Sequence, residues 1–222
     1  MMEIILGIDN IIFIAILCTY IPKKSEQKKA RLIGLSLALI FRIGLLATIS
    51  WIVGMVHPLF YIGSFSVSGK ELILFCGGVF LIYKTVQEIY EKIRGREEGH
   101  HLKKQVLTVG QAILQITFID IVFSFDSILT AVGLSRVLPI MIIAVIVSMV
   151  VMLFFAPYVT DFINKYPTLK MLALTFLVAI GALLVLEALH IEIDKAYVYV
   201  AMAFAIIVEL LNIRMRKMEK LN

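Results

Sequence analysis

Apolar residues run in seven blocks separated by short polar stretches, at residues 1–21, 32–56, 72–93, 106–134, 138–159, 171–189 and 196–213. Each block is close to the ~20 residues a helix needs to cross a bilayer. The pattern predicts an all-α, polytopic membrane bundle of about seven transmembrane helices. Pro22, Pro58, Pro139 and Pro167 sit at block edges or between blocks, and Pro157 falls in the last turn of the fifth. The third block ends in a polar half (Lys84, Glu88, Glu91, Lys92) that is expected to project into water.

Composition sharpens this picture. Of 222 residues, 61% are hydrophobic and 17% charged. A soluble domain cannot bury that much apolar surface. The length fits a single bundle without a second, soluble domain. Cys18 and Cys76 stand alone in apolar runs, without metal-ligand spacing, and read as small buried hydrophobes. The first block already contains Glu3 and Asp9 and lacks a basic leader, so no cleavable signal peptide is expected.

The net charge of +5 lies in short loops beside apolar spans, which is a topology signal and not a nucleic-acid face. Lys23, Lys24, Lys28, Lys29 and Arg31 follow the first block. Arg94, Arg96, Lys103 and Lys104 follow the third, Lys165 and Lys170 the fifth, and Arg214, Arg216, Lys217 and Lys220 the last. The alternate loops hold only Lys70, Arg136 and Lys195. The positive-inside rule therefore places the N-terminus outside and the C-terminus in the cytoplasm. The polar linker 95–105 separates a first repeat (1–94) from a second (106–190), with the last helix and tail at 191–222. Its His100 and His101 read as solvated loop residues.

The halves resemble one another. Glu3, Asp9 and Asn10 in the first block match Asp120, Asp126 and Ser127 in the fourth: an acid, five residues, an aspartate, then a small polar residue. Lys70 and Lys170 open the third and sixth blocks, and Gly77-Gly78 answers Gly181. Three spans per half put the copies in opposite orientations, a 3+3 inverted repeat plus one C-terminal helix. Secondary transporters use that plan and bind their substrate between the halves.

The chemistry lies in the acids at membrane depth. In 115–130, QITFIDIVFSFDSILT, the residues Thr117, Asp120, Ser124 and Ser127 fall at i, i+3, i+7 and i+10, on one helix face. Asp126 points about a third of a turn away, at ~100° per residue. Glu3, Asp9, Glu187 and Glu209 are further intramembrane acids, while Arg42 and Lys84 are the candidate cations there. Arg42 can neutralise one acid, Lys84 can pair with Glu88, and Glu209 with Arg214. The remaining negative charge calls for protonation or a bound cation. Carboxylates, an amide and hydroxyls suit hard divalent ions such as Mn²⁺ or Mg²⁺ better than Zn²⁺ or Cu⁺. Gly7 would let the first span break or approach a partner closely. Gly34, Ser36, Gly44, Ala47, Gly77 and Gly78 read as packing residues.

EIILGIDNIIF (3–13), FIDIVFSFDSILTAVG (118–133), KMLALTFLVAIG (170–181) and YVAMAFAIIVELLNIR (199–214) resemble the TerC family of integral membrane proteins along essentially the whole chain. The family was named for tellurium resistance. The resemblance implies a seven-helix fold related to the lysine-exporter superfamily and manganese efflux across the bacterial cell membrane. It carries the family's acidic motifs onto Glu3, Asp9, Asn10, Asp120, Asp126 and Ser127, its intramembrane arginine onto Arg42 and its last-span acid onto Glu209. Family members usually have a further stretch ahead of EIILGIDN. Here Glu3 is expected in the first turn of a short first span.

These readings give a membrane transporter and no enzyme. The cargo is Mn²⁺, held between the first and fourth spans with no other cofactor. Asp9, Asp120 and Asp126 are the main ligands, with neutral oxygens from Asn10 and Ser127. Glu3, Arg42, Ser124, Glu187 and Glu209 assist or gate, and protons are the expected counter-ion. The alternative is a non-transporting membrane factor with structural acids. An intramembrane aspartyl protease would need GxGD where this chain has GID and SFD. An amino-acid exporter would need a cation for the substrate carboxylate, and Arg42 is the only deep candidate.

Overall fold

The computed structural model describes residues 2–48, 58–62, 65–97, 107–134, 138–191 and 193–219, with side chains of the first helix described from Asn10 onward. His100 and His101, and most of the linker, lie outside these residues, as do the side chains of Glu3 and Asp9.

Seven helices are described, one for each apolar block: α1 (Met2–Cys18), α2 (Lys24–Ala47), α3 (Gly69–Glu97), α4 (Val109–Leu134), α5 (Leu138–Lys165), α6 (Pro167–Ala188) and α7 (Lys195–Glu219). Helices satisfy every interior backbone group within the segment, which a bilayer demands. Their ends differ from the hydropathy boundaries for simple reasons. α2 starts at Lys24, not residue 32, because KSEQKKAR is rich in good helix formers and helical hydrogen bonding continues past the apolar edge. α6 starts at Pro167, not residue 171, since proline at the first helical position sacrifices no hydrogen bond. α5 runs past Pro157 to Lys165, so this proline is interior rather than terminal.

Hydropathy places no element between blocks two and three, yet β1 (Pro58–Ile62) and β2 (Phe65–Ser68) form an antiparallel hairpin there. Phe60, Tyr61, Phe65 and Val67 favour a pleated surface, and the run is too short to register as a span.

The helices pair across the two halves. α3 packs most extensively on α6, α2 on α4 and α1 on α5. Exchanging the first three helices for the next three leaves this set of pairs unchanged. The directions agree with an inverted arrangement. Lys70 at the start of α3 meets Glu187 near the end of α6 at 2.9 Å, and Lys92 near the end of α3 donates to the Pro167 carbonyl at 2.8 Å. α3 and α6 are therefore antiparallel. α1 and α4 are antiparallel too, since the Leu107 amide donates to the Tyr20 carbonyl at 3.2 Å while Asn10 meets Asp120.

Two glycines make the α3–α6 crossing possible. A Cβ on Gly78 would lie 2.7 Å from the Gly181 carbonyl oxygen, and one on Gly181 would lie 3.1 Å from that of Gly78. Gly77 is closed off by Val122 of α4. The packing role read for Gly77 and Gly78 is what these contacts describe. Gly44, by contrast, has open space where a Cβ would go.

Gly78→Ala should thus force the two backbones apart and lower stability by about 1–3 kcal/mol, as overpacking does. Gly44→Ala, at an exposed helical position, should be neutral or stabilising by up to about 1 kcal/mol. Thermal unfolding of the detergent-solubilised protein, read by circular dichroism, compares the two.

Candidate functional site

α4 carries the polar groups of 115–130 into the centre of the bundle, because its neighbours cover it on several sides. Thr117, Asp120, Ser124, Asp126 and Ser127 are all buried. Asn10 of α1 and Arg42 of α2 are buried as well. A charge this deep needs partners, and among the described residues Asp120 has three. The Asn10 amide donates to its Oδ1 at 3.1 Å, and the Ser124 hydroxyl to its Oδ2 at 3.1 Å. Arg42 places one terminal guanidinium nitrogen 3.4 Å from Oδ1. The Arg42 Nε also donates to the Ser124 oxygen at 2.6 Å, closing a ring of three side chains. α2 and α4 run in register here, as Gly34 against Ile116 and Arg42 against Ser124 attest. This register is what lets Arg42 neutralise Asp120.

Not every oxygen in the cluster is used. The Asn10 side-chain carbonyl and the Thr117 hydroxyl are buried without a hydrogen-bond partner among the described residues. Ser127 donates to the Phe123 carbonyl at 2.8 Å, which leaves its lone pairs available.

Asp126 takes part in a second cluster, nearer one end of the bundle. It is paired with Lys195, the first residue of α7. Lys195 also lies 3.2 Å from Glu187, and Glu187 receives Lys70 at 2.9 Å. Glu71 and His190 meet at 2.8 Å at the same end. Asp126, Ser127, Lys195 and Tyr199 line a pocket whose apolar wall comes from α6 (Ile180, Leu183, Leu184) and from Phe123 and Val198.

Of the ligands expected to share one site, Asp120 and Asp126 are set on different sides of α4, and the side chains of Glu3 and Asp9 lie outside the described residues. Asp120 faces α1 and α2, whereas Asp126 faces α6 and α7, because six residues on a helix turn the second carboxylate to another side and ~9 Å along the axis. Asn10 and Asp120 are brought together; Asp126 and Ser127 line the other pocket. Among the described residues no three His, Cys, Asp or Glu side chains converge as a ready metal cage. Glu187 pairs with Lys70 and Lys195. Glu209 accepts from Thr168 of α6 instead of pairing with Arg214, since α7 packs antiparallel to α6. Glu88 is met by the hydroxyl of Tyr20.

Sequence reasoning treated Lys195 as a loop charge, and Lys70 as a loop charge and a marker of the repeat, and missed the acids they reach. Each immediately precedes an apolar run, which was the available signal. Which acid they reach depends on helix packing.

Residues 1–222 match the integral membrane protein TerC family. A UPF0053 protein of Haemophilus influenzae is 46% identical over 219 residues, covering 99% of this chain and 92% of that protein. The UPF0053 inner membrane protein YgdQ of Escherichia coli is 46% identical over 213 residues, covering 96% and 89%. The UPF0053 inner membrane protein YoaE of Escherichia coli is 45% identical over 211 residues, 95% of this chain but 40% of the longer relative. No solved structure matches.

Breaking the Arg42–Asp120 pair from one side should destabilise more than removing both partners. Arg42→Met leaves a buried carboxylate alone and should cost about 3–5 kcal/mol, and adding Asp120→Leu should recover most of it. A double-mutant cycle on thermal unfolding in detergent measures the difference.

Proposed function

The chain belongs to the TerC family of integral membrane proteins, and on that footing we propose that it is a secondary transporter exporting divalent metal cations, Mn²⁺ foremost, from the bacterial cytoplasm. The observation that carries this reading is the Asn10–Asp120 contact at 3.1 Å, where the two acid-bearing helices α1 and α4 cross inside the bundle. Buried anions at the interface of two oppositely oriented halves are the recurring position of transporter sites. The donors are hard oxygens: Asp120, the Asn10 carbonyl, Ser127 and Asp126, joined by the acids of the first motif, Asp9 and Glu3. That set favours Mn²⁺ or Mg²⁺ over thiophilic ions.

Asp120 and Asp126 sit ~9 Å apart along α4, too far for one ion to be held by both. They act as two stations on a path and not as one cage. An ion leaving water exchanges its hydration shell for these oxygens in steps, and each step is offset by a carboxylate. Arg42 positions Asp120 directly and through Ser124. Proton exchange on the same carboxylates is the proposed coupling.

A second reading draws on the same ion pairs. If Arg42 and Lys195 serve only to neutralise Asp120 and Asp126, the protein is a non-transporting membrane factor with structural acids. Flux separates the two.

Everted membrane vesicles containing the protein should accumulate Mn²⁺, and Asp120→Asn or Asp126→Asn should abolish the accumulation per unit of folded protein. Uptake equal to that of protein-free vesicles would sink the transport reading. The proposed orientation, N-terminus outside and C-terminus inside, predicts that a cysteine added after Asn222 is labelled by an impermeant thiol reagent only in everted vesicles.

A further inference from the structure

Lys195 is placed where helix electrostatics disfavours it. It is the first residue of α7, at the end whose backbone amides carry a partial positive charge of about half a unit. One amide of that end is capped by Asp194, whose carboxylate accepts from the Ala196 amide at 2.8 Å. The partners of Lys195 are Asp126, across the pocket, and Glu187 at 3.2 Å. Glu187 in turn holds Lys70 at 2.9 Å.

We propose, resting on the transport reading above, that Lys195 is a tethered substitute for the cargo: its ammonium neutralises Asp126 when no metal ion does, and an arriving divalent cation displaces it onto Glu187. Three features support the exchange. Lys195, Asp126, Ser127 and Tyr199 line the same pocket, so an ion reaching Asp126 meets the ammonium there. Glu187 gives the displaced ammonium a second seat, so no cation is driven into lipid. Lysine is a compact point charge on a flexible stem, suited to moving between two carboxylates. Arg42 is the contrast: its guanidinium is divided between Ser124 and Asp120, and its side chain is 5% exposed against 27% for Lys195.

The consequence concerns the return step of the transport cycle. A carrier that has released its ion would hold a bare carboxylate in a low-dielectric interior, which is strongly disfavoured. With Lys195 on Asp126 the emptied carrier needs neither an ion nor a proton there to offset that charge, and can reorient. Without it, reorientation is favoured only when Asp126 holds an ion or a proton. Lys195 is thus a positioning residue that permits net transport as opposed to ion-for-ion exchange.

The full chain in liposomes tests this with Mn²⁺ alone. Net Mn²⁺ flux and exchange of internal Mn²⁺ for external radioactive Mn²⁺ are measured for wild type, Lys195→Gln and Lys195→Arg. Lys195→Gln should lose net flux by about tenfold to a hundredfold while retaining exchange, and Lys195→Arg, which keeps the charge but not the compact mobile ammonium, should fall between wild type and Lys195→Gln. A Lys195→Gln variant with the wild-type ratio of the two fluxes, or with both lost together, overturns the proposal. Because that variant also removes the Lys195 contact from Asp126, a second measurement uses the wild type. Mn²⁺ should raise the acylation rate of Lys195 relative to Lys70, followed by mass spectrometry; an unchanged rate overturns the proposal. Absence of either flux in the wild type would instead defeat the transport reading itself.

Discussion

The constraint on which this protein depends is the cost of an unpaired charge in a medium without water. Asp120 lies in the middle of α4, 2% exposed, and an isolated carboxylate there would not remain ionised. Its neutralisation requires Arg42 from α2, Ser124 one turn along α4 and Asn10 from α1. Those requirements fix the register of α2 along α4 and the depth at which α1 crosses them. The apolar core then fills around this polar node, with Phe125, Ile119 and Ile116 of α4 and Leu35 of α2 among its most buried side chains. Hydrophobic packing tolerates sliding by a residue or two; the buried ion pair does not.

A different interaction holds α3 to α6. Neither helix carries a deeply buried acid at their crossing, and close approach there depends on Gly78 and Gly181, each set against the other's backbone carbonyl. Their termini are pinned by charge. Lys70 at the head of α3 meets Glu187 near the foot of α6. At the opposite end Lys170, at the head of α6, reaches Thr19 at 2.8 Å and stacks over Tyr20, whose hydroxyl meets Glu88 near the foot of α3. The two ends are alike in plan and unlike in detail. One is a chain of direct ion pairs and the other is relayed through a tyrosine.

The placement of the two carboxylates of α4 follows from these two frames. α4 belongs to both, presenting Asp120 to the buried node and Asp126 to the pocket beside α6 and α7. The node is tight and its arginine is divided between two partners. The pocket is looser, and its lysine has two carboxylates within reach. For the transport proposed above, a tightly held anion beside a looser one suits stepwise passage of a cation, since an ion held equally tightly everywhere would not leave.

The sequence alone determined the number and placement of the helices, because a run of about twenty apolar residues has few other stable solutions. It also determined which side chains were too costly to be incidental: Asp120, Asp126, Arg42 and Glu187 stand out in apolar runs without any knowledge of contacts. The matched motifs at Asp9 and Asp126 and the glycines of blocks three and six made the two-part plan legible. The hairpin at 58–68 was not legible, as strands this short leave no span-length signal. Partner choice was decided only by tertiary structure. Hydropathy places Lys195 and Lys70 at a boundary but says nothing about which acid they reach, and it led to Arg214 as a partner for Glu209, which instead meets Thr168. It also suggested that Asp120 and Asp126 converge. A one-dimensional pattern gives depth in the membrane, whereas the azimuth of a carboxylate and the identity of the helix it faces are set by how all seven pack.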